Sequence, residues 1–152
     1  MQGKPAKVSG GCLCGNIRYE AEAFLQNGYL CHCTVCQRST GQPAEITVLI
    51  KAGSLTYLKG DPKYYQSSDF GKRAFCADCG SRLAWQAINL QDDWQTNLTV
   101  GCLDNAIDAL MTCRIYADTQ LPWYHACENL TKFTEATADE MMAFIKEQVG
   151  RE

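Results

Sequence analysis

The sequence predicts a compact, mostly β fold closed by one short C-terminal helix. Three observations predict it. Short runs rich in β-branched and aromatic residues recur along the chain, bounded by Gly, Asp and Asn. Helical spacing of apolar residues behind a capping signal occurs only near the end. Ten cysteines fall largely into tight groups of the kind that turns carry.

In chain order, the first ten residues, MQGKPAKVSG, carry Gly, Pro and Lys and read as a frayed lead-in. NIRYEAEA at 16–23 alternates apolar and polar side chains, the period of a strand with one buried face. PAEITVLIKAGSLTYLK at 43–59 reads as two strands broken at Ala52-Gly53. Segments 63–68, 72–76, 82–88, 97–103 and 107–116 have the same character, with KGDP, DFG and LDN between some of them as turns. Thr137-Ala138-Asp139-Glu140 fits a capping box. Met141, Met142, Ile145 and Val149 then form an apolar stripe, so the spacing predicts a helix over about 138–149 that packs on the sheet. No repeat or linker interrupts the chain, which reads as a single domain over 1–152 with its core at about 10–133.

At 152 residues the chain is long enough to bury a core without help from a metal. A net charge of −3 and the lack of any Lys/Arg run argue against a nucleic-acid partner. There is no signal-peptide run and nothing near the ~18 apolar residues of a membrane span. The expectation is a soluble, cytoplasmic protein with no membrane partner. A reducing compartment does not sustain a disulfide framework, so tightly spaced cysteines point to metal binding or catalysis.

Seven of the cysteines form the groups GCLCG, CHCTVCQR and FCADCGS. The first and third end in Cys-Gly, at Cys14-Gly15 and Cys79-Gly80. A chain wrapping two thiolates around one ion turns sharply after the second, and Gly permits the positive φ this requires. Cys12, Cys14, Cys76 and Cys79 thus read as two knuckles making one tetrahedron, the closed form that structural zinc prefers. The middle group offers Cys31, Cys33 and Cys36, provided the chain enters a helical turn near Cys33. Three protein ligands leave a position for water or substrate, as catalytic zinc does. Alternation points His32 away from such an ion. A fourth ligand from Cys102, Cys113, Cys127 or a histidine would instead close the site; the spacing favours the open form. Cys102 and Cys113, in apolar runs, read as small buried residues. Three thiolates on one Zn²⁺ carry a net charge near −1, which favours an incoming thiol over hydrolysis.

The stretches GGCLCGNIRYE, CHCTVCQRSTG and FCADCGSRLAW, in this order, resemble the glutathione-dependent formaldehyde-activating enzyme family, which also includes centromere protein V. The resemblance runs from about Gly10 to about Phe133. It implies a zinc-bearing fold of the β-tent kind, a structural zinc on Cys12, Cys14, Cys76 and Cys79, and a catalytic zinc on Cys31, Cys33 and Cys36. The implied reaction joins glutathione's thiol to formaldehyde, a carbon–sulfur lyase reaction run in reverse. The chain departs from the family toward its C-terminus: Arg114 stands where a His is frequent, and Leu130-Thr131 where Leu-Pro is.

In the enzyme reading the partners are a small thiol and a small aldehyde. Arg38, just after the third cysteine, is the candidate partner for a substrate carboxylate. Phe70, Trp85, Trp123 and Tyr124 are candidate pocket walls. The alternative is a non-catalytic, zinc-stabilised module that binds a protein. Protein purified without chelator should contain up to two zinc ions per chain by elemental analysis. A folded, metal-free preparation with free thiols at Cys12, Cys14, Cys76 and Cys79 would contradict the metal reading.

Overall fold

A computed structural model describes residues 3–88, 96–130, 132, 134 and 137–149; the side chains of 126–129 and 149 lie outside the description. The chain divides into two compact units, Met1–Leu121 and Pro122–Glu152. Among its described residues the first holds ten strands: β1 (Ala6–Gly11), β2 (Arg18–Ala23), β3 (Gly28–Cys31), β4 (Glu45–Leu49), β5 (Thr56–Lys59), β6 (Lys63–Ser68), β7 (Gly71–Phe75), β8 (Arg82–Ala87), β9 (Thr96–Thr99) and β10 (Met111–Ile115). One short helix, α1 (Thr34–Thr40), follows β3. The residues expected to fray therefore begin with a strand: β1 pairs with β2 over six positions, from Ala6 opposite Ala23 to Gly11 opposite Arg18. The lead-in composition misled because β1 needs only Val8 and Gly10 on its buried face. Strand β3, at 28–31, was not anticipated; it is four residues long and ends in a cysteine.

Two sheets result, ordered β1-β2-β5 and β10-β3-β4-β9-β8-β7-β6. All strand pairs are antiparallel except β10 with β3. In β2 the alternation read from the sequence holds: Tyr19, Ala21 and Ala23 are buried. They join Val48, Leu98, Ala84 and Ala74 of the large sheet in one core.

The register of the large sheet positions everything that follows. Val48 pairs with Leu98, Leu98 with Ala84, and Ala84 with Ala74, one row across four strands on the core face. One residue along, Leu49 pairs with Asn97, Asn97 with Trp85, and Trp85 with Arg73. Side chains alternate between faces, so this second row lies on the opposite face. Gly71 allows the Trp85 indole to lie against β7, since any Cβ there would strike the ring.

The second unit contains α2 (Ala138–Val149). Its capping box forms as the sequence predicts. The Thr137 N–H donates to Glu140 Oε2 at 2.7 Å, and the Glu140 N–H donates to Thr137 Oγ1 at 3.3 Å. Met141, Met142 and Ile145 are exposed within this unit. Among the described residues no helix is long and apolar enough to cross a membrane.

Candidate metal centres and the cavity beside them

Cys12 and Cys14 sit in the turn between β1 and β2, and Cys76 and Cys79 in the turn between β7 and β8. Their four sulfurs lie within 4.8 Å of one another. Gly15 and Gly80 both adopt φ +74°, and a Cβ on either would meet nothing within 4 Å. The glycines are thus required by conformation, not by space, as the Cys-Gly signal implies. The turns match: the Gly15 N–H donates to the Cys12 carbonyl and the Gly80 N–H to the Cys76 carbonyl. Polar contacts tie one turn to the other. The Leu13 N–H donates to Ser81 Oγ at 3.0 Å, and Asn16 Nδ2 donates to Asp78 Oδ2 at 2.8 Å.

The donor set fits zinc. With Zn–S bonds of about 2.3 Å, a tetrahedron has S···S edges of about 3.8 Å. Cys12 and Cys14 stand 3.5 Å apart, and Cys14 and Cys76 3.8 Å. Hydrogen bonds from the Ser81 hydroxyl and backbone hold the Cys79 thiol down to about 5. Cys14 is drawn down by the Asn16 backbone but pushed further the other way, to about 12, by the sulfurs of Cys12, Cys79 and Cys76. Four such thiols cannot all ionise together without a cation among them.

The second group is built from the end of β3 and the start of α1. Cys33 is the N-cap of α1, its sulfur accepting from the Cys36 N–H at 3.4 Å, so the chain does enter a helical turn there. This brings the sulfurs of Cys31, Cys33 and Cys36 within 4.8 Å of one another. His32 is fully buried and turned elsewhere, with Nδ1 3.2 Å from the Pro43 carbonyl. Cys31 and Cys36 behave as a pair: the Cys36 thiol lowers Cys31, and Cys31 together with burial raises Cys36. Cys102 is half-buried and donates to the Arg82 carbonyl, whereas Cys113 is exposed on β10. The expectation that Cys113 is a small buried residue therefore fails, because β10 is an edge strand. The Cys127 side chain lies outside the description.

A buried ion network backs this group. Glu45 pairs across the ladder with Cys31. Its carboxylate accepts from Arg73 at 2.6 Å and from Arg82 at 3.0 Å. Arg73 is 4% exposed and Glu45 3%. Arg73 also donates to Cys36 Sγ at 3.3 Å and to Ser67 Oγ at 2.9 Å. Arg82 donates to the Ser39 carbonyl in α1. Two guanidinium charges against one carboxylate leave one positive charge beside the sulfurs. Three thiolates around Zn²⁺ carry one negative charge, so a loaded site would complete a neutral cluster. The surroundings thus fit the ion that the sulfurs could hold.

The same three cysteines border a cavity of about 520 Å³. The off-core row of the large sheet contributes Leu49, Asn97, Trp85 and Arg73, and Phe70 and Tyr116 add further aromatic wall. Phe70 and Trp85 therefore stand where the sequence places them. Arg38 is exposed on α1 and does not line the cavity; Trp123 and Tyr124 belong to the second unit. A sequence profile of the glutathione-dependent formaldehyde-activating enzymes matches residues 7–119.

The chain belongs to the glutathione-dependent formaldehyde-activating enzyme family. The match takes in both cysteine groups and every residue that lines the cavity. A crystal structure of a Rhodobacter sphaeroides protein shares the fold, with a TM-score of 0.54 and 22% identity over 64% of this chain and 88% of that one. No curated protein matches the chain.

For this member of the family, sequence reasoning missed Tyr29, Glu45, Arg73 and Asn97. Glu45 and Arg73 are charged residues inside strands, which was the available signal. Cys79→Ala should lower the midpoint of thermal unfolding by about 10 °C or more, since binding of structural zinc is folding free energy. Cys33→Ala should cost only about 3 °C, the worth of one N-cap. Equal losses in the two variants would contradict this division of labour.

Proposed function

We propose that the chain is a carbon–sulfur lyase-type enzyme that joins a small thiol to formaldehyde or a related small carbonyl, working at Cys31, Cys33 and Cys36. One asymmetry carries the reading. Both cysteine groups converge, but only the three-cysteine group borders the cavity. Among the described residues no fourth Cys, His, Asp or Glu joins it. Family membership supports glutathione-type thiols and formaldehyde as the substrate classes.

The four-cysteine group would hold a zinc for structure alone, fastening the β1–β2 turn to the β7–β8 turn. At the other group a bound zinc supplies an open position where a thiol loses its proton and stays nucleophilic. The chain's own residues do the rest. Cys31, Cys33 and Cys36 set the direction of approach from the cavity. Arg73 keeps Cys36 in place and offsets sulfur charge that burial would otherwise penalise. Phe70 and Trp85 exclude water beside the sulfurs. Tyr29 Oη accepts from Asn97 Nδ2 at 2.6 Å and keeps its own hydrogen to donate within the cavity. As the thiol sulfur bonds to the carbonyl carbon, the π pair moves to oxygen, and the proton the thiol gave up ends there. No redox partner is needed. All nine cysteines with described side chains are free, which suits a reducing cytoplasm.

Zinc-loaded protein should accelerate the loss of free formaldehyde in the presence of at least one of several small thiols. Cys33→Ala should reduce that acceleration by at least about 100-fold, the upper end of what lesser changes around metal ligands cost. Failure of every thiol to react, or to perturb the loaded site, would favour the protein-binding module instead.

A further inference from the structure

The cavity is larger than formaldehyde requires, and its wall is mostly apolar. Formaldehyde has two heavy atoms, whereas about 520 Å³ falls within the ordinary range for drug-sized ligands. Tyr29, Val35, Leu49, Phe70, Trp85 and Tyr116 supply most of the wall. The charged residues that line it are Arg73 and Glu45, and they pair with each other. Each guanidinium nitrogen of Arg73 already donates, to Ser67, Glu45 and Cys36. Both carboxylate oxygens of Glu45 already accept, from Arg73 and Arg82. Glutathione carries two carboxylates and an ammonium group. Burying these against apolar walls without partners is costly.

Two buried polar atoms in the wall lack a hydrogen-bond partner among the described residues, Thr47 Oγ1 and Asn97 Oδ1, and both are neutral. Asn97 is 6% exposed, and its Nδ2 donates to Tyr29 Oη. Its Oδ1 is buried with no hydrogen-bond partner among the described residues. A buried amide oxygen left unpaired is costly unless a ligand supplies the donor. The oxygen is neutral, so it suits a hydroxyl or amide N–H and offers nothing to a carboxylate.

We infer that this cavity is a subsite for a thiol bearing a neutral, aromatic-sized substituent, with Asn97 Oδ1 accepting one hydrogen bond from it, and that glutathione is not the preferred thiol. The inference rests on the thiol-binding reading of Cys31, Cys33 and Cys36 and narrows its substrate class. Burying one ring against these walls should give a preference of roughly tenfold or more over a thiol whose substituent stays in water.

The test uses the full chain reconstituted with Co²⁺, titrated with ethanethiol, phenylmethanethiol, 4-hydroxyphenylmethanethiol and glutathione. The thiolate-to-cobalt absorption band reports binding without any need for turnover. Phenylmethanethiol should bind at least tenfold more tightly than ethanethiol and glutathione, and the hydroxylated ring more tightly still. Phe70→Ala, at a residue 56% exposed and outside the core, should shrink the aromatic preference to about twofold. Asn97→Leu should abolish the gain from the ring hydroxyl while keeping the preference for the ring. Glutathione binding as tightly as phenylmethanethiol would overturn the inference and leave the thiol site standing. An absorption band unmoved by every thiol would overturn the thiol site itself.

Discussion

The site depends on one buried electrostatic arrangement: two arginines, one glutamate and three sulfurs packed behind a cavity. Taken alone, Arg73, Arg82 and Glu45 leave an excess positive charge in a region where Arg73 and Glu45 are almost wholly removed from water. An uncompensated buried charge is costly, by several kcal/mol even after relaxation. The sulfur of Cys36, 3.3 Å from Arg73, is where this network meets the cysteine group. The ion network and the cysteine group are therefore two halves of one structure. A divalent ion on the three thiolates would bring the whole to neutrality.

Sheet register makes the arrangement possible. The row Val48, Leu98, Ala84 and Ala74 packs into the core, and the row one residue along faces the cavity. A slip of one residue would exchange them, placing Arg73 in the core and alanines at the site. The apolar row thus holds the polar row in place, and core packing is what aims Arg73 at Cys36. The cavity inherits its apolar walls from the same strands, which is why the unpartnered oxygens of Thr47 and Asn97 stand out.

The cysteine architecture was legible in the sequence because closely spaced cysteines and the glycines after them leave local marks. Cys-Gly at 14–15 and 79–80 announced two left-handed turns, and C-x-C-x-x-C announced a helical turn near Cys33. The capping box at Thr137 is local in the same sense. What escaped depends on distant partners. Arg73 and Glu45 lie 28 positions apart, and only the sheet brings them together. Asn97 and Tyr29 are 68 apart. β1 escaped because its polar composition hides a strand that covers the core with just two residues. Arg38, next to the cysteines in sequence, lies on the exposed side of α1, away from the cavity.

The central claim is that the two cysteine groups hold zinc in different ways, one closed and one open. Anomalous diffraction at the zinc edge, on crystals grown with zinc, tests it most directly. The account predicts two peaks per chain. One should be enclosed by Cys12, Cys14, Cys76 and Cys79; the other should rest on Cys31, Cys33 and Cys36, with its fourth ligand not from the protein. A fourth protein ligand at the second position, or no ion there at saturating zinc, would contradict it.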